Sequence, residues 1–145
     1  MEFPRQIPFV KTLGFELLKF EGGEAEIAVE VRDELCNSWM VAHGGLTMTL
    51  LDVAMAHAAR APQPGSEPTA QGVVTIEMKT SFMRPGLGRM VAKAKLVHGT
   101  ASLAFCEGSV FDDKGALLAQ ATGTFKYLNG LPAGGRRIQK PGASD

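Results

Sequence analysis

The chain has 145 residues, 45% of them apolar and 21% charged, which is enough apolar mass for one domain with its own core. Fifteen basic residues balance fifteen acidic ones, so no overall field draws in nucleic acid or an anionic membrane. The start, MEFPRQIPFVKTLG, lacks the long apolar stretch of a signal peptide, and the two cysteines, Cys36 and Cys106, make no disulfide framework, so a reduced, cytoplasmic setting is expected.

Residues 4–12 read as a short N-terminal helix, with Pro4 near its start and Gly14 beyond its end. Phe15 to Phe20 reads as a strand. Ala25, Ile27, Val29 and Val31, alternating with glutamates, read as a second, and Glu21-Gly22-Gly23 turns between them into a hairpin with one wet face. Asp33 to Val41 is a loop that holds Asn37, Ser38 and Trp39, the only tryptophan. From Leu46 to Ala59, ten of fourteen residues are Ala, Val, Leu or Met with no Gly or Pro, which predicts a helix from about Gly45 to Arg60. It is apolar on nearly every face, so it belongs inside a protein, and it is too short and interrupted to span a bilayer.

PQPGSEPTAQG (62–72) is a loop, a flexible rim for a binding site. From Val73 the period changes to two. Val74, Ile76, Met78, Thr80 and Phe82 are expected on one face, and Thr75, Glu77, Lys79 and Ser81 on the other. Arg84 to Gly88 turns the chain, and strands follow near 89–98, 102–112 and 116–127 with short connections, an antiparallel meander. Residues 129–145 lack a hydrophobic pattern and read as a mobile tail. The result is an α+β domain over 1–128: a hairpin, one buried helix and four consecutive strands. A single helix buries all its faces only if a curved sheet wraps it and something covers the remainder. A second copy of the chain is the simplest cover, which predicts a homo-oligomer.

Asp52 is the one acid in this apolar helix, with Met48, Thr49, Met55 and Ala56 as helical neighbours. Burying a carboxylate is expensive, and such groups cluster at functional sites, although a structural hydrogen-bonded acid is the alternative. Gly44 and Gly45 stand at the helix start, where backbone N–H groups lack intrahelical partners and can meet negative charge; close packing is the other reason for glycine there.

Asn37, then five residues, His43-Gly44-Gly45, then six residues, Asp52, followed by a strand ending Phe82-Met83-Arg84-Pro85-Gly86, resembles the hotdog-fold acyl-CoA thioesterases. Within them it is most similar to the phenylacetate-pathway and human thioesterase-superfamily-member-2 branch, over residues 12–128. The resemblance implies a curved antiparallel sheet around one long central helix. It implies that Asp52 is the catalytic nucleophile or general base and that the Gly44 N–H polarises the thioester carbonyl. Asn37 would orient water or thioester, His43 heads the motif, and Thr75 stands where some members assist the water. On residue type alone, Asn37 reads as a turn residue, His43 as a cap or loop support, and Thr75 as an exposed strand residue.

Gly44 and Asp52 are eight residues apart, roughly 12 Å along a helix, so they cannot reach one carbonyl from one chain. If both act, Gly44 of one subunit meets Asp52 of another, in a dimer or a dimer of dimers. Gly45, Met48, Leu51 and Met55 are expected to line the substrate groove, with Arg84 as the candidate for the coenzyme A phosphates. Arg89, Arg136 and Arg137 are weaker candidates. No metal or redox cofactor is expected. His43 and His57 are too far apart on a helix to chelate one ion, and neither GxGxxG nor a Walker motif is present. The alternative function is a non-catalytic acyl-CoA-binding or regulatory module of the same fold.

Overall fold

The computed structural model describes residues 1–67 and 71–129. The expected tail beyond 129, with Arg136 and Arg137, lies outside the described residues. The N-terminal helix α1 spans Pro8–Leu13, shorter than the 4–12 reading and shifted later: Pro8 begins it and Gly14, at φ 75°, ends it. Strands β1 (Glu16–Glu21) and β2 (Glu24–Glu30) form the expected hairpin. A 3-10 turn at Asp33–Leu35 leads to helix α2, Gly44–Arg60, and then come β3 (Gly72–Phe82), β4 (Arg89–Gly99), β5 (Leu103–Phe111) and β6 (Leu117–Leu128).

The strands form one antiparallel sheet in the order β1-β2-β4-β5-β6-β3. The expected meander holds for β4 to β6 only. β3 does not pair with β4 but crosses to the far edge beside β6, because the connection between them is tied elsewhere. Val31 N–H donates to Gly88 O, Ala42 N–H to Gly86 O, and Met83 and Arg84 N–H to Leu118 O, so the segment bridges the end of the sheet instead of closing a hairpin.

The sheet curves around α2, which is the hotdog architecture. Leu50, Leu51, Ala54, Met55 and Ala58 of α2 are wholly buried, as are Ile27, Met90, Val110 and Phe125 on the strands. Each large apolar side chain buried in this way contributes roughly 1.5–3 kcal/mol. Close approach of helix to sheet depends on two strand glycines. A Cβ on Gly108 would stand 3.2 Å from Leu51, and one on Gly123 would stand 3.1 Å from Met55. The opposite stripe of α2, with Gly45, Met48, Thr49, Asp52, Val53 and Ala56, stays exposed or half-buried.

The face pattern expected for β3 is overturned in its first half. Thr75 pairs with Phe125 and Glu77 with Thr124, so Ile76 is an extra, unpaired residue, a β-bulge. One inserted residue reverses the alternation. Thr75 therefore shares the helix-facing side with Met78, Thr80 and Phe82, not the outer side with Glu77, Lys79 and Ser81.

Candidate active site

His43 is the N-cap of α2 and shapes everything at its start. Its backbone, at φ −60° and ψ 138°, is extended, and its ring Nδ1 accepts the Gly45 N–H at 2.8 Å. Its carbonyl accepts the N–H groups of Leu46 and Thr47 at 2.9 and 3.2 Å. Three of the four first-turn donors are thus satisfied by one residue. The fourth, the Gly44 N–H, has no acceptor among the described residues. Because Nδ1 accepts, the neutral ring carries its proton on Nε2.

Gly44 lines a cleft of about 350 Å³ together with Asn37, Val41, Thr47, Phe82, Arg84 and Leu118, among others. Nothing within the chain requires glycine at this position. Its φ is not in the left-handed region, and a Cβ would meet Phe82 at an ordinary 3.6 Å. Glycine inside a helix costs roughly 1 kcal/mol relative to alanine, so its use here fits a close approach by something outside the chain. Gly45 differs: a Cβ there would press on His43 Nδ1 at 3.0 Å and disturb the cap.

Asn37 organises the loop that leads into this cap. Its Oδ1 accepts from Trp39 N–H at 2.9 Å and from Val41 N–H at 3.4 Å, an Asx turn, which is the turn role its residue type suggested. Its side-chain NH₂ has no partner among the described residues, and Asn37 is one of the residues that line the Gly44 cleft. The tip of the turn exposes Trp39 and Met40. Met40, at φ 60°, is the one non-glycine with positive φ among the described residues.

Two turns along α2, Asp52 emerges on the exposed stripe. The bulge in β3 brings Thr75 to it, and Thr75 Oγ1 donates to Asp52 Oδ1 at 2.6 Å. Burial raises the Asp52 pKa above the ordinary carboxyl value, and the Thr75 hydrogen bond opposes part of that rise. A carboxylate held this way is a stronger base and nucleophile than an exposed one. Sequence reasoning found both residues but not the bulge that joins them.

These features lie on one continuous segment and the strand beside it, and residues 40–119 match the family model of the thioesterase superfamily. The chain belongs to the thioesterase superfamily. A sequence relative is the medium/long-chain acyl-CoA thioesterase YigI of Escherichia coli K12, 26% identical over 139 residues, covering 85% of this chain and 87% of YigI. Among solved structures, the conserved protein PA5202 of Pseudomonas aeruginosa superposes with a TM-score of 0.78 at 25% identity, covering 86% of this chain and 97% of that one. A mutant of the phenylacetic acid degradation protein PaaI from Thermus thermophilus gives 0.72 at 32% identity, covering 84% and 100%.

The remaining superfamily candidates separate in the structure. Met48, 36% exposed, stands on the Asp52 stripe. Leu51 and Met55 are wholly buried and face the strand glycines Gly108 and Gly123. Both stand on the flank of α2 that the sheet covers, whereas Met48 stands on the uncovered side with Asp52. Arg84 borders the Gly44 cleft and donates one N–H to Leu117 O at 2.6 Å. Arg89 is held by Glu30 and Glu16 at 3.1 and 3.0 Å. No helix among the described residues is long and apolar enough to cross a membrane.

Proposed function

We propose that the chain hydrolyses acyl-CoA thioesters to free acid and coenzyme A at sites shared between two copies. The observation that carries this reading is the bare Gly44 N–H. One capping histidine satisfies its neighbours and leaves this donor at a cleft, at the positive end of a 17-residue helix. The thioester carbonyl oxygen accepts this N–H, which stabilises the negative charge that develops on it. Asp52 of a second copy then attacks the carbonyl carbon, or takes a proton from a water that does, and the coenzyme A thiolate departs with a proton. Direct attack gives an anhydride that water cleaves. Thr75 orients the Asp52 carboxylate, and the Asn37 amide steadies the water or thioester. Met48 lies against the acyl group, Arg84 meets the nucleotide phosphates, and the reaction needs no metal or redox cofactor.

Two sheet edges distinguish the surface where the copies meet. β1 is six residues long, has a register break and carries Glu16, Lys19 and Glu21, features that discourage pairing. β3 is eleven residues long, is paired on one side only, and exposes Ile76 and Phe82 at 54% and 53%. Pairing of β3 edges in a dimer, or in a dimer of dimers, covers this strand and sets Asp52 near the other copy's α2. Cys36 and Cys106 are both unpaired, which suits a cytoplasmic protein.

The test is hydrolysis of short, medium, long and phenylacetyl-type acyl-CoA by wild type and Asp52→Asn, followed by release of free thiol. Turnover that drops by ~100-fold or more in the variant supports the reading. Tight binding of acyl-CoA by both proteins with no turnover of any thioester overturns it in favour of a binding module.

A further inference from the structure

The free edge of β3 links the two halves of the candidate site. After the bulge, Met78, Thr80 and Phe82 share the helix-facing side with Thr75, while Glu77, Lys79 and Ser81 lie outward. At one end of the helix-facing row, Thr75 Oγ1 holds Asp52 at 2.6 Å. At the other, the Phe82 ring lies 3.6 Å from where a Cβ on Gly44 would stand. Ile76 and Phe82 are the exposed large apolar residues of this strand, at 54% and 53%. On the outward face of the sheet, Lys19, Lys93 and Lys95 each meet a glutamate, at 2.7, 3.4 and 3.2 Å. Lys79 has no such partner among the described residues.

We propose that two copies pair antiparallel along β3 with the two-fold axis at Lys79, so that Phe82 of each copy stands opposite Thr75 of the partner subunit. This register rests on the proposed shared site, in which Asp52 of one copy and Gly44 of the other meet one carbonyl. Residues directly opposite in an antiparallel ladder point to the same face, so helix-facing residues must oppose helix-facing ones. The axis therefore falls on a residue and not between two. Phe82 is three ladder positions from Lys79 in one direction, and Thr75, with the bulged Ile76 not counted, is three in the other. The neighbouring registers slide the strands by two residues, about 7 Å. An axis at Met78 sets Phe82 opposite Val73 of the partner subunit, and an axis at Thr80 sets it opposite Met78 of the partner subunit. Both move the Asp52 half of the site away from the Gly44 half. With the axis at Lys79, Thr75 and Ile76 together oppose Phe82 of the partner subunit, as the two residues of a bulge do, and the two exposed apolar residues cover each other. The two Lys79 side chains are an unfavourable pair across the axis. Each has Glu77 of the partner subunit as its diagonal neighbour, which supplies the missing acid twice by symmetry.

Single cysteines read the axis directly. Met78→Cys, Lys79→Cys and Thr80→Cys are each made in a Cys36→Ser background, treated with a mild oxidant, and run on a non-reducing gel. Two cysteines bridge only where their Cα atoms lie within about 7 Å, which holds for the residue on the axis and fails for the residues beside it. Covalent dimer is expected to form ~tenfold faster or more in Lys79→Cys than in the other two. Faster bridging at 78 or 80, or no bridging at any of the three, overturns the register. Charge exchange is the second measurement, should a cysteine variant not fold. Glu77→Lys is expected to raise the dimer dissociation constant ~fivefold or more in sedimentation, and adding Lys79→Glu to it restores the wild-type value. A double variant no tighter than Glu77→Lys alone overturns the diagonal pairing and the register with it. The two readings fail separately. A Lys79→Cys dimer in a protein that turns over no thioester keeps the pairing and loses the proposed function. Turnover in a protein that bridges at 78 or 80 keeps the function and loses the register.

Discussion

Thr75 reaches Asp52 at 2.6 Å across 23 residues of sequence, and it does so only because Ile76 is an extra residue in β3. The hydroxyl donates to the ionised carboxylate and draws its pKa back down against the effect of burial. Removing it in Thr75→Val lets that pKa rise further. A reaction that needs the carboxylate loses rate as pH falls through this value, so the acid limb of kcat is expected to move to higher pH. Thr75→Ser restores the limb. A limb unmoved in Thr75→Val would show that the hydroxyl does not govern the carboxylate.

Burial of Asp52 also has a consequence for stability. Its folded-state pKa is raised, so its contribution to stability is fully present below the unfolded-state pKa and is lost as pH rises through the folded value. At neutral pH the ionised carboxylate opposes folding. Asp52→Asn keeps an oxygen for Thr75 and removes the charge, so it should melt higher than wild type near neutral pH, with the difference closing under acid. Thermal melts across pH measure this, and a lower melting temperature for the variant at neutral pH would contradict it.

His43 is a cap whose ring nitrogen holds Gly45 N–H. His43→Ala should lose about 1 kcal/mol of stability and, with the helix start loosened, much of kcat. Asparagine is a good cap, so His43→Asn should recover both. Recovery of stability without recovery of activity would instead assign His43 a direct chemical part. Urea unfolding and steady-state kinetics on the two variants separate these outcomes.

Ile76 is exposed in the isolated chain and stands on the free edge of β3. Ile76→Lys should leave the fold intact, shift the protein towards monomer in light scattering, and remove turnover, since Gly44 and Asp52 cannot meet within one copy. Full activity in a monomeric variant would refute the shared site.

Met40 holds a left-handed φ of 60° with an exposed side chain. Met40→Gly relieves a backbone cost of roughly 1–2 kcal/mol and incurs roughly 0.5–1 kcal/mol of chain entropy, so a small net stabilisation is expected in urea unfolding. An unchanged or lower midpoint would mean that the Met40 side chain makes compensating contacts.

Much of the site was legible because it is local. His43, Gly44 and Asp52 lie within ten residues, and an apolar run with one acid and a glycine pair at its head announces a buried helix with two chemical features. All six strands were also legible from period-two patterning, to within a residue or two at their ends. Three things were not. Strand alternation in β3 was read straight through Ile76, because whether a residue is a bulge depends on the partner strand. Leu51 and Met55 looked equivalent to Met48 in an all-apolar helix, since composition cannot tell which side a curved sheet will take. The burial of His57 gave no signal, because it is created by Phe3 of the N-terminal segment and Phe20 of β1 packing edge-on against its ring.

The division follows from the range of the forces. Helix and strand periodicity, the cap at His43 and the placing of an acid two turns from a glycine depend on neighbours a few residues away, and sequence alone determines them. Which strand lies at an edge, where a bulge falls and which charged groups lose their water depend on contacts between distant segments. Only the folded sheet decides those. The Thr75–Asp52 hydrogen bond is the clearest case, since each residue is readable alone and their meeting is set by one unpaired residue in β3.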